Sequence, residues 1–143
     1  MRNRSSRWLT AVGAGLTVGG VAMALLAGTD VFAPINALID PVFWSPGPDA
    51  ADAAFRSWVF GTWGATLAGW GLLVAFVASG PFRRGEAWSW WAIAAGTTLW
   101  FVLDTGTSLV HGVVANVAVN VALAALVAVP LAMSYPTFRR RAT

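Results

Sequence analysis

Four uninterrupted apolar runs, at about residues 8–27, 55–79, 88–110 and 113–133, constrain this chain more than any other feature. A helix that crosses a bilayer needs about 20 consecutive apolar residues, and each run has roughly that length. Composition agrees: 57% of residues are hydrophobic and 10% charged, whereas soluble domains carry roughly 25% charged residues. The 143 residues suffice for one domain. The expected fold is therefore all-α, a four-transmembrane-helix antiparallel bundle occupying residues 1–143 as a single unit. The opening "MRNRSSR" resembles the charged start of a signal peptide. The run behind it exceeds the usual 7–15 residues, however, and no small-x-small cleavage site follows, so it reads as a retained helix.

The arginines set the orientation. Arg2, Arg4 and Arg7 precede the first span, Arg83 and Arg84 separate the second from the third, and Arg139, Arg140 and Arg141 follow the fourth. Cytoplasmic flanks concentrate Arg and Lys, so both termini are expected on the cytoplasmic side of a multi-pass inner-membrane protein. The opposite side holds Asp30, Asp40, Asp49, Asp52 and a single basic residue, Arg56. Trp8, Trp88, Trp90 and Trp91 at one face, with Trp44 and Trp58 at the other, fit interfacial belts. Basic clusters that flank apolar runs in this way encode topology rather than nucleic-acid binding. Arginine without lysine, among abundant Ala, Val and Gly, suggests a prokaryotic genome rich in GC.

Absences narrow the chemistry. With no cysteine, thiolate catalysis and disulfides are excluded, and with no lysine a Schiff base is excluded too. One histidine cannot build a protein-only metal site, and no phosphate-cradling loop is present, so neither metal nor cofactor is expected.

The longest connection is the outer loop, residues 28–54. Val31, Ile35, Leu38 and Val42 recur there at helical spacing, and Pro34 suits a first helical turn, which predicts a short amphipathic helix. "SPGP" ends it, and Asp49 with Asp52 forms the N-cap region of the second span. Asp52 and Arg56 stand i, i+4 and are expected to pair. Small-residue ridges, Gly15 with Gly19 and Gly61 with Ala65 and Gly69, offer close helix packing or a homodimer face. Pro130 is expected to kink the last span.

The feature that calls for explanation is polar. Counting 1.5 Å per residue from the inner end of each span, Asp104 lies about 24 Å up, Thr62 and Asn116 about 25 Å, and Thr66 and Asn120 about 20 Å. They share one depth, in the outer third of a hydrocarbon core about 30 Å thick. Asp104, Ser108 and His111 follow i, i+4, i+7, while Asn116 with Asn120 and Thr62 with Thr66 are i, i+4 pairs. Three polar stripes are thus expected to face one another, with Arg56 and His111 just above. An intramembrane aspartate costs roughly 2.5–3.5 kcal/mol at a helix centre and less toward the interface. Interhelical hydrogen bonds return about 0.6 kcal/mol each on average. Two or three of them nearly offset the cost, so interhelical glue and function both remain open.

A non-catalytic binding module is the leading reading. A polar pocket near the outer face, beneath the loop helix, would take a small amphiphile or lipid. Asp104 and Asn120 would fix the head, and Trp63 and Trp70 the apolar body. Three alternatives stand beside it: an acid–base pair of His111 and Asp104 on a lipid-like substrate, a proton- or cation-coupled small transporter built as a dimer, and a structural or assembly subunit. The segments "LAGWG", "PFRRGEAWSWWA" and "WFVLDTGTSLVHGVVANVAVN" resemble a group of small four-helix prokaryotic integral membrane proteins with no assigned activity. The resemblance runs from Gly61 to Asn120 and implies the same four-helix fold. It carries over no activity.

Overall fold

The computed structural model describes residues 2–139. Arg140 and Arg141, counted above for orientation, lie outside the described residues. The described chain is all-helical: α1 (Arg2–Leu26), a 3-10 turn (Asp30–Phe32), α2 (Ala33–Phe43), α3 (Ala50–Val77), α4 (Ala87–Val110) and α5 (Val114–Arg139). α3 runs on as a π-helical turn, Ala78–Phe82, whose wider coil admits Pro81 where an α-turn would clash with the preceding carbonyl. Four helices, α1, α3 with its π turn, α4 and α5, are long and apolar enough to cross a membrane. Their presence suggests a multi-pass membrane protein.

Local chemistry sets the ends of these helices. The Asp49 carboxylate accepts the Ala51 and Asp52 backbone N–H groups, each at 2.8 Å, and Asp52 accepts the Asp49 N–H at 3.2 Å. This reciprocal box starts α3, and it commits Asp52. The expected Asp52–Arg56 pair does not form. Arg56 reaches instead to Asp40 on α2 and ties that helix to α3. Between α4 and α5, Gly112 adopts a left-handed φ of 72°. The Val113 N–H then bonds the Ser108 carbonyl at 2.8 Å, which satisfies a terminal carbonyl and reverses the chain within a few residues. Gly85, at φ 84°, plays the same part between the π turn and α4. Beside it the Arg84 guanidinium and the Trp88 indole hold the Glu86 carboxyl below its usual range.

α1 packs most extensively along α3, α4 along α5, and α1 also touches α5, whereas α3 and α4 barely meet. The first contact is made of glycine, though not the glycines that spacing singled out. A Cβ on Gly20 would lie 2.5 Å from the Gly64 carbonyl oxygen, and one on Gly13 2.7 Å from that of Gly71. Two i, i+7 pairs, Gly13 with Gly20 and Gly64 with Gly71, therefore bring the two backbones into direct contact. Gly15, Gly19 and Gly69 have nothing within 4 Å of such a Cβ, and Gly61 has only a loose contact with Ala24. Gly15, Gly19 and Gly69 thus point away from the α1–α3 seam, and Gly61 only borders it. The i, i+4 ridges and the i, i+7 pairs both offer small faces, and only the rotation of each helix chooses between them.

The arginine-bearing end is filled. Leu9, Ala78, Phe82, Ile93, Val127, Leu131 and Phe138 form one buried cluster drawn from α1, α3's π turn, α4 and α5. The Phe82 and Phe138 rings lie 4.8 Å apart. The Trp90 indole N–H donates to the Leu131 carbonyl at 3.0 Å. This carbonyl lies next to Pro130, which sits inside α5. At the α2 end the buried cluster shrinks to Ala27, Phe32 and Phe60. The interior is open there.

Candidate functional site

Asp104 stands a turn and a half before the end of α4, and the tight Gly112 turn folds the start of α5 back beside it. That return brings Asn116 and Asn120 onto the Asp104 carboxylate. Asp104 Oδ1 accepts from Asn116 Nδ2 at 2.6 Å and Asn120 Nδ2 at 3.0 Å, and Oδ2 accepts from Trp100 Nε1 at 3.2 Å. Ser108 Oγ donates to the Asp104 backbone carbonyl at 2.8 Å, with Oδ1 at 3.3 Å. Each amide also has a second anchor: Asn116 Nδ2 donates to Ser108 Oγ at 2.8 Å and Asn120 Nδ2 to Thr105 Oγ1 at 3.2 Å. Three N–H donors meet one carboxylate whose capacity is about four lone-pair sites, and the Ser108 hydroxyl, already donating to the backbone carbonyl, lies at its edge. Its hydrogen bonding is close to saturated.

Next to this cluster lies a cavity of about 370 Å³. Its wall is drawn from every helix: Gly19 and Met23 of α1, Ile35, Leu38 and Ile39 of α2, and Phe60, Trp63 and Leu67 of α3. α4 contributes Trp100, and α5 contributes Ala115, Asn116, Val119, Asn120 and Leu123. The volume falls within the roughly 300–1,000 Å³ typical of small-molecule sites. The wall is almost wholly apolar, and its polar margin is the pair of asparagines. A second hollow of about 390 Å³ is lined by Thr29, Asp30, Asn36, Arg56 and Ser57 with little apolar surface. It lacks the aromatic walls that would hold an apolar body.

The structure sorts the residues singled out from the sequence. Asp104, Ser108, Asn116 and Asn120 form one network, and Trp63, Asn116 and Asn120 line the cavity. Thr62 and Thr66 do not join it. Both are exposed and bond their own helix, to the Val59 carbonyl at 3.0 Å and the Thr62 carbonyl at 3.1 Å. His111 is exposed too, with Nδ1 at 2.9 Å from the Thr107 carbonyl and its ring 6.4 Å from that of Phe43. Arg56 is held by Asp40. Trp70 stacks on Trp100 at 5.5 Å without lining the cavity. Of the three polar stripes expected to meet, two do, from α4 and α5.

Sequence reasoning missed Trp100 and Thr105. Trp100 precedes Asp104 by one turn, so i, i+4 spacing could have found it as a donor. Thr105 lies off the Asp104 stripe and gave no signal. No group of three or more His, Cys, Asp or Glu side chains is placed to hold a metal among the described residues. Comparison with protein-family models, curated proteins and solved structures returns no match.

Proposed function

We propose that this protein is a non-catalytic binding module of a prokaryotic cytoplasmic membrane, holding a small amphiphile or lipid in the cavity beneath α2. The observation that carries this reading is an apolar cavity lined by all four spans, with its hydrogen-bonding groups, the Trp63 indole apart, gathered at the asparagine margin. Such a site accepts an apolar body and orients one polar end. The start of α1, the end of α3, the start of α4 and the end of α5 share one core, which supports an antiparallel bundle. In that arrangement α2 lies over the cavity mouth, strapped down by Asp40 and Arg56.

The test fills the cavity. A side chain grown at Gly19, which lines the cavity and has open space beyond its Cα, occupies the proposed site. Gly19→Leu should keep its fold, since leucine favours a helix by up to about 1 kcal/mol over glycine. It should also purify without the amphiphile that wild type carries. Equal amphiphile on both proteins would remove the proposal.

Orientation belongs to the same proposal and rests on the arginine distribution. In a chain with no native cysteine, Ser45→Cys should react with an impermeant maleimide on spheroplasts, and Thr137→Cys only after lysis. The opposite pattern would invert the topology. The near-saturated Asp104 carboxylate favours one further reading, a structural or assembly subunit whose polar network fixes helix register. The two readings part over whether anything occupies the cavity.

A further inference from the structure

We infer that the cavity selects amphiphiles whose polar end is a hydrogen-bond donor, an alcohol or an amine, over those ending in a carboxylate or phosphate. The inference rests on the binding reading above and specifies its ligand.

It follows from the hydrogen-bond capacities at the polar margin. A carboxylate only accepts, so an amide beside it must present its NH2 group. Asn116 and Asn120 both do so toward Asp104 Oδ1. The second hydrogen of each NH2 is also taken, by Ser108 Oγ and Thr105 Oγ1. Neither amide has a donor left. What each retains is its carbonyl oxygen, and both residues line the cavity. Asn120 shows how narrow the opening is, since the residue is 1% exposed yet forms part of the wall. The margin therefore offers two acceptors, backed by a carboxylate, and Asp104 acts as a positioning residue rather than a ligand contact.

Two features oppose this selection. The N-terminus of α5 is near, at Ala115 in the wall, but it carries only about half a positive charge, against a full negative charge on a carboxylate. The Trp63 indole could donate, yet it belongs to the α3 wall, where its ring packs 6.2 Å from that of Phe60. An ammonium head donates to both carbonyls and a hydroxyl head to one. A carboxylate or phosphate head meets two oxygens and a like charge, and is rejected. Two ordinary hydrogen bonds correspond to roughly 30-fold in affinity.

Four probes with one tail and different heads test this: dodecanol, dodecylamine, dodecanoate and dodecyl phosphate, bound to the full-length protein in nanodiscs and ranked by competition in native mass spectrometry. Expected are roughly 30-fold tighter binding of dodecylamine and roughly 5-fold tighter binding of dodecanol than of the two anionic probes, with the dodecylamine preference falling to roughly 5-fold in Asn116→Leu, which leaves one carbonyl. If that variant fails to fold, judged by its thermal midpoint, Asn116→Ser serves instead. Dodecanoate or dodecyl phosphate binding as tightly as dodecanol, with Gly19→Leu abolishing all binding, would overturn the donor-head inference and leave the cavity reading intact. Loss of that anionic binding in Trp63→Phe would reassign head recognition to the indole. No binding by any probe, or binding that Gly19→Leu retains, would overturn both the inference and the cavity reading.

Discussion

Replacing Gly64 with leucine is expected to drive α1 from α3 and lower stability by about 3 kcal/mol or more, the upper end for overpacking. A Cβ at Gly64 would stand 2.6 Å from the Ala24 nitrogen and 2.7 Å from the Gly20 carbonyl oxygen, and the reciprocal contacts at Gly20 are as short. These are backbone atoms of a continuous helix, so no side chain can swing aside. Within a bilayer, moreover, lipid tails solvate apolar residues as well as a neighbouring helix does. Close backbone approach is then what binds α1 to α3, and losing it leaves little in reserve. The control is Gly69→Ala on the same helix. Nothing lies within 4 Å of its Cβ, and helix propensity favours alanine by roughly 1 kcal/mol. Thermal unfolding in detergent, followed by circular dichroism, should show Gly64→Leu far below wild type and Gly69→Ala at or above it. Equal losses in both would mean that the seam between α1 and α3 lies elsewhere.

Asp104→Leu should separate binding from stability. Three N–H donors at about 0.6 kcal/mol each are worth roughly 1.8 kcal/mol. Removing an aspartate that lies within two turns of a helix end returns a comparable amount, below the 2.5–3.5 kcal/mol of a helix centre. The two nearly cancel, and the thermal midpoint should move by the equivalent of about 1 kcal/mol. Binding should fall while stability holds. Ser108 spends its only hydrogen on the backbone carbonyl of residue 104 and still accepts from Asn116, whereas the Thr105 hydroxyl donates as readily as it accepts and holds the Asn120 amide in either orientation. For Asn120 the carboxylate alone imposes one. Without it Asn120 is free to turn its NH2 group into the cavity, and amine-headed amphiphiles should lose roughly 5-fold in affinity, the worth of one hydrogen bond. Affinity measured by native mass spectrometry beside the thermal midpoint decides the matter. A loss of several kcal/mol in stability with affinity unchanged would make the network interhelical glue.

Much of this arrangement was legible in the residues, because bilayer physics leaves few choices. Apolar runs of spanning length gave the four long helices, but the helices outrun them: α1 begins inside the arginine cluster at Arg2, α3 begins at Ala50 and α5 continues to Arg139. The meeting of Asp104 and Ser108 with Asn116 and Asn120 was also readable, since the Gly112 turn is too tight to place α4 and α5 anywhere but side by side. What failed required knowledge of helix rotation or of competing partners. Thr62 and Thr66 sit at the right depth and spacing, yet a threonine can satisfy its hydroxyl on its own helix, so depth says nothing about where it points. Arg56 found Asp40 because the capping box had already claimed Asp52, and that competition lies between two local rules of similar strength. The cavity itself is walled by residues of all five helices, a property of packing that no single segment carries.

The most direct test of a ligand-holding cavity is native mass spectrometry of wild type and Gly19→Leu released from the same membranes. Wild type should carry a discrete added mass, identifiable by fragmentation as an alcohol- or amine-headed amphiphile, and Gly19→Leu should appear at its bare mass with an undiminished thermal midpoint. A bare wild type, or the same added mass on both proteins, would contradict a binding role and leave the polar network as the device that holds α4 against α5.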